Sequence, residues 1–128
     1  MVWIRNNQNP EDIRTSDCVY RAIALLERKE WEEIYMDLSV QGLMMHRPPI
    51  ENSVWAAYLR KKGYKQKLLP DTCPDCYTVS DFCKDYPHGE YLLATGTHVV
   101  GIIDGNHYDT WDSSQEIPVY YWEKEKKE

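Results

Sequence analysis

Near Glu90 the periodicity of the sequence changes, and that change limits the folds open to the chain. Before it, apolar residues recur at helical spacing. Val19, Ala22, Ile23 and Leu26 follow a Ser16-Asp17 cap. Trp31, Ile34, Tyr35 and Leu38 mark a helix over about 30–40, closed by Gly42 and Pro48-Pro49. Val54, Trp55, Tyr58 and Leu59 mark a third, from about Asn52 to a stop at Gly63. Thr78 and Asp81 have capping-box spacing for a short helix ending before Pro87. Beyond Glu90, runs rich in β-branched and aromatic residues lie at 91–95, 98–103, 107–112 and 119–122. Turn signals separate them, and Asp104-Gly105-Asn106 is the clearest hairpin signal. A short apolar run at 2–4 reads as an edge strand. Helices and strands are therefore segregated, which predicts an α+β fold whose helical N-terminal half packs on a small C-terminal antiparallel sheet. At 128 residues the chain has room for one domain, read as 1–123, with a charged, solvated tail at 124–128.

Charge narrows the partners. A net charge of −6 argues against nucleic acid, whose backbone needs a dense Lys/Arg surface. Arg60, Lys61, Lys62, Lys65 and Lys67 read as a solvated helix end rather than a binding patch. No apolar stretch approaches the roughly 20 residues of a membrane span, so no membrane partner is expected. The opening MVWIRNNQNP lacks the basic and apolar regions of a signal peptide. A cytoplasmic protein with four reduced cysteines is the resulting expectation.

Cys18 stands just inside a helix start, where unpaired N–H groups and the macrodipole favour a thiolate. His98 opens HVVGIID, a strand otherwise apolar or small, so its imidazole needs a polar partner. If Asp104-Gly105-Asn106 is a three-residue turn, Ile103 faces His107 and His98 lies opposite Asp112. Opposed residues share a face of the sheet. Asp112 is then the acid that holds His98, and Asp109 points away; a register slip of one residue reverses the two.

That order of elements, helix-terminal Cys, strand His and strand Asp, resembles the papain-like cysteine peptidases. SDCVYRAIA resembles the nucleophile motif of OTU deubiquitinases, and HVVGIIDGNHYDTWDSS resembles the His and Asp strands of small papain-like peptidases, including the C39 group. Small phage and bacterial proteins look similar over nearly the whole chain. The resemblance implies a papain-like fold and a peptidase or isopeptidase with a protein or peptide substrate. It makes Cys18 the nucleophile, His98 the general base and Asp112 the orienting acid. Papain-like enzymes place a Gln or Asn before the nucleophile for the oxyanion hole. Asn6, Asn7, Gln8 and Asn9 are the candidates, none at the usual spacing, where this chain has Asp12; Asn7 or Asn9 is favoured. The His-aromatic pair of OTU enzymes is matched by His107-Tyr108, but His98 is preferred because its strand pairs it with an acid.

Alternatives remain open. The same Cys-His-Asp order serves transglutaminase-like acyltransferases, and the fold also serves non-catalytic binding modules. No cofactor is needed for the hydrolase. Cys73, Cys76, Cys83 and His88 are a compact set that could instead hold zinc, form a redox pair at Cys73-Pro-Asp-Cys76, or be structural. The oligomeric state is open.

Overall fold

The computed structural model describes residues 2–13 and 15–125. The order is β1 (Trp3–Arg5), α1 (Cys18–Glu27), α2 (Trp31–Met45), α3 (Asn52–Lys61), β2 (Lys65–Leu68), α4 (Val79–Asp85), β3 (Glu90–Ala94), β4 (Val99–Ile103), β5 (Asn106–Asp109) and β6 (Tyr120–Glu123). The fold is α+β, with the strands in one six-stranded sheet of order β1-β5-β4-β3-β6-β2. The sheet is not wholly antiparallel, because β1 pairs with β5 in parallel at one edge.

Alternation along the strands builds two cores. Leu92, Ala94, Val99 and Trp122 pack with α1, α2 and α3, through Ile23, Leu26, Ile34, Leu38, Trp55 and Leu59. Their neighbours Tyr91, Leu93, Val100, Ile102 and Tyr121 pack on the other face with Val79, Phe82 and Cys83 of α4. The helices therefore cover both faces. Gly101 lets α1 approach β4, since a Cβ there would lie 2.8 Å from Leu25 Cδ2.

Several local expectations change. Lys65 and Lys67 are not a helix end but belong to edge strand β2, paired with β6 and facing Glu125 and Glu123 in exposed ion pairs. Gly42 lies within α2, which runs on to Met45 because the following loop folds back over it; Arg47 O is 2.6 Å from where a Cβ would stand. Thr78 and Asp81 do form a capping box on α4. Of the tail, Lys124 N donates to Glu90 O, extending the β3–β6 pairing by one residue, while 126–128 lie outside the described residues. Among the described residues, no helix is long and apolar enough to cross a membrane.

The β4–β5 hairpin decides the site. Its turn has two residues, Asp104 and Gly105, both at positive φ (49° and 77°), as a type I′ turn requires. Ile103 consequently pairs with Asn106 and Ile102 with His107, one residue away from the expected register. The slip reverses the two aspartates.

Candidate functional site

Cys18 is the first residue of α1. Asp17 occupies the N-cap but makes no side-chain cap, contrary to the sequence reading. Its buried carboxylate turns inward instead. Asp17 Oδ1 accepts from Arg21 Nε at 2.8 Å, and Oδ2 accepts from Trp31 Nε1 at 3.1 Å and Asn9 Nδ2 at 3.4 Å. The helix start, with its unpaired N–H groups, is left to Cys18.

His98 stands one residue before β4. Thr95 pins it there: Thr95 N donates to His98 O at 2.8 Å, and Thr95 Oγ1 accepts from His98 N at 3.1 Å. The imidazole then touches both chemical partners. Its Nε2 is 2.6 Å from Asp109 Oδ2, and the ring also hydrogen-bonds the Cys18 thiol, which leaves Nδ1 for the sulfur. The Trp111 ring covers His98 at a centroid distance of 5.0 Å.

Asp109, at the end of β5, is 1 % exposed and held from several sides. Ser113 Oγ donates to its Oδ2 at 2.9 Å; Thr110 N and Arg21 Nη1 donate to its Oδ1 at 2.8 and 3.2 Å. Its carbonyl accepts from Trp3 Nε1 at 3.1 Å and Asn6 N at 2.9 Å, so β1 secures the backbone behind it. Asp112, the acid expected from sequence, instead lies on the surface 3.3 Å from His107 Nε2.

The electrostatics agree with this geometry. Burial raises the Cys18 pKa, but the His98 hydrogen bond, the Val99 N–H and the His98 and Arg21 charges outweigh it, and the thiol lies below its usual value. Burial lowers His98, yet Asp109 and Cys18 overcome this and push it up to about 9. Burial likewise raises Asp109, and His98, Ser113 and Thr110 bring it below the usual carboxylate range. A thiolate and an imidazolium are thus both favoured in one cluster.

Two clefts meet at the sulfur. One, of about 190 Å³, is walled by Val19, Trp55, Val99 and Tyr120; the other, of about 460 Å³, by Ser16, Arg21, Thr110 and Trp111. Cys18, Thr97 and His98 line both. An extended ligand lying across them would pass directly over the thiol.

Neither proposed oxyanion amide reaches this point. Asn7 Nδ2 donates to Asp12 Oδ1 and Ile13 O, Asn9 Nδ2 donates to Asp17, and neither residue lines either cleft. They build the loop before α1 instead.

No protein-family model, no curated protein and no solved structure matches the chain. Its chemistry therefore has to rest on the site's own geometry.

The cysteine cluster does not assemble as a metal site. Cys73 and Cys76, with Cα atoms 4.2 Å apart, form a disulfide, contrary to the expectation of four reduced thiols. Cys83 is buried among Phe82 and its neighbours, where burial raises its pKa to about 11. Among the described residues, no cluster of His, Cys, Asp and Glu is arranged to hold a metal.

Sequence reasoning missed Arg21, Asp17, Ser113 and Trp111 as parts of the site. Asp17 and Arg21 carried a usable signal, since acid and base four apart meet on a helix face. Ser113 and Trp111 carried none, because they arrive through the chain's path after β5.

Proposed function

We propose that the chain is a cysteine hydrolase of the papain-like kind, a peptidase or isopeptidase acting through Cys18, His98 and Asp109. One observation carries this reading: a helix-terminal Cys18 hydrogen-bonded to a His98 whose Nε2 lies 2.6 Å from the buried Asp109. This is the nucleophile–base–orienter geometry of acyl-transfer sites. The papain-like assignment rests on the order of helix-terminal Cys, strand-edge His and acid on the next strand.

The Cys18 thiolate attacks the amide carbonyl, forming a C–S bond, and the oxyanion faces the Cys18 N–H at the helix start. His98 gives its Nδ1 proton to the leaving nitrogen as the C–N bond breaks, leaving a thioester and a neutral imidazole. That imidazole takes a proton from water, whose oxygen attacks the thioester. Collapse releases the carboxylic acid and restores the thiolate. Asp109 keeps the ring oriented and stabilises its charged form throughout.

Mass-spectrometric mapping after treatment with iodoacetamide tests the reading. Cys18 should be modified well ahead of Cys83 at neutral pH, and His98→Ala should suppress that modification. A fluorogenic peptide and isopeptide panel should then show turnover lost in Cys18→Ala. Equal labelling of both thiols, or indifference to His98→Ala, would sink the catalytic assignment.

A further inference from the structure

The two clefts that meet at the Cys18 sulfur differ in chemistry. The larger is walled by the hydroxyl-bearing Thr15, Ser16 and Thr110 and by Arg21. The smaller is walled by Val19 of α1, Trp55 of α3, Val99 of β4, and Val119 and Tyr120 where β6 begins. Val19, Trp55 and Val99 are buried core residues, whereas Val119 is 49 % exposed, so the main core forms the back of the smaller cleft and Val119 its rim. Besides Cys18 and His98, the described residues that line it carry no charge at neutral pH, and burial holds the Tyr120 phenol above its ordinary pKa. Its volume of about 190 Å³ falls below the roughly 300–1,000 Å³ of a pocket that encloses a whole small ligand. There is room for one side chain. A charged one would lose its water without gaining a partner, since His98 is already engaged by Cys18 and Asp109.

One polar group is held in a fixed orientation at the same cleft. Asn52, the first residue of α3, accepts a hydrogen bond at Oδ1 from Trp55 Nε1 at 3.0 Å. An indole N–H only donates, so it decides which way the amide faces. Asn52 Nδ2 is left as a donor with no partner among the described residues. It suits the carbonyl oxygen of a backbone whose side chain sits in the cleft.

We propose that the smaller cleft seats one apolar side chain of the substrate beside the scissile amide, with Asn52 Nδ2 donating to the substrate's backbone carbonyl. The substrate class is then a peptide or isopeptide whose cleaved bond is flanked by an apolar residue. This rests on Cys18 being the nucleophile.

N-iodoacetyl derivatives of glycine, leucine, aspartate and lysine amides test this on the full chain. They share one reactive carbon, and the short linker lets the amino acid lie in either cleft. Each rate constant for alkylation of Cys18 is divided by that of iodoacetamide with the same variant, which cancels any change in the thiol itself. The leucine label should exceed the glycine label by about tenfold or more, from the apolar surface it buries. Aspartate and lysine labels should not exceed glycine. Val119→Asp, which places a charge at the rim, should cut the leucine advantage to about threefold or less. Asn52→Asp keeps the acceptor for Trp55 and removes the donor. It should slow the leucine label about threefold to tenfold, by raising its KI rather than lowering its maximal rate. Four labels that react alike, a charged label that reacts fastest, or a leucine advantage untouched by Val119→Asp overturns the proposal. An Asn52→Asp protein that matches wild type overturns the part given to Asn52. The catalytic reading fails separately, through equal iodoacetamide labelling of Cys18 and Cys83 or indifference to His98→Ala, and the label ratios at Cys18 are still readable in that case.

Discussion

Among the described residues, two His–Asp pairs lie on and beside β4 and β5, and their surroundings differ sharply. His98 and Asp109 are 2.6 Å apart and both largely buried, and His98 also hydrogen-bonds Cys18. His107 and Asp112 are 3.3 Å apart, and the Asp112 side chain is 53 % exposed. Residue types are identical in the two pairs. What differs is the surroundings: Ser113, Thr110 and Arg21 hold Asp109, whereas the partners of Asp112 are the Ser114 backbone and side chain of its own turn and His107. A carboxylate orients a base only where its own position is fixed, and solvent fixes nothing.

The sharpest way to break this contrast is to remove the base. His98→Ala should lower Cys18 alkylation at pH 7, and any amide turnover, by about a hundredfold or more, the usual contribution of a positioned base. Burial, the main influence raising the Cys18 pKa, would then be opposed only by Val99 and Arg21. Stopped-flow alkylation measures this, and a change of less than about threefold would remove His98 from the mechanism.

The two aspartates come next. Asp109→Asn should lower turnover by about a hundredfold or more, because it disturbs the tautomer and weakens the imidazolium. Asp112→Asn should change turnover less than threefold and stability by less than about 0.5 kcal/mol, as surface substitutions do. Equal effects in paired kinetic and urea-melt measurements would erase the distinction drawn here.

Arg21 tests how the buried acid is held. Arg21→Leu leaves Asp17 and Asp109 without their shared cation and should destabilise the fold by about 3 kcal/mol. Arg21→Lys should recover less than half, since an ammonium cannot reproduce the fork that reaches both carboxylates. Urea unfolding at pH 7 is the measurement.

The smallest effect is the pH dependence. His98 has a folded pKa of about 9, raised from its ordinary 6.5. Its contribution to stability is therefore complete below pH 6.5 and fades as pH rises through 9. Asp109 has the opposite sign: its pKa is lowered from 3.8, so its contribution is present above that value and lost on further acidification. Melts of wild type and His98→Ala should converge between pH 6.5 and 9. Convergence on acidification instead would assign the raised pKa to another group.

Cysteine chemistry shows the same division by surroundings. Cys18 and Cys83 are both free thiols on helices. Against the effect of burial, the His98 hydrogen bond, the Val99 N–H and the His98 and Arg21 charges bring one below its usual pKa, while burial raises the other to about 11. That difference was partly legible from the chain, since Cys18 followed a capping signal and Cys83 stood beside Val79 and Phe82 as a core residue of a short helix. The disulfide between Cys73 and Cys76 was not, because the spacing is compatible with zinc, redox and structural roles alike and a cysteine pair expected to be reduced read first as structural thiols.

The amino-acid order by itself determined the features carried by local periodicity: the helical half, the strand-rich half, Cys18 at a helix start and His98 at a strand start. These depend on a few consecutive residues, whose spacing already states which side faces the core. Tertiary structure decided the acid, because a hairpin register depends on whether its turn takes two residues or three, and Asp104-Gly105-Asn106 permits either. It also decided that Asn7 and Asn9 brace a loop, that Lys65 and Lys67 form an edge strand, and that Arg21 joins Asp17 to Asp109. The β2–β6 pairing and the Arg21–Asp109 contact join segments distant in sequence, and no local pattern records which distant segment will arrive.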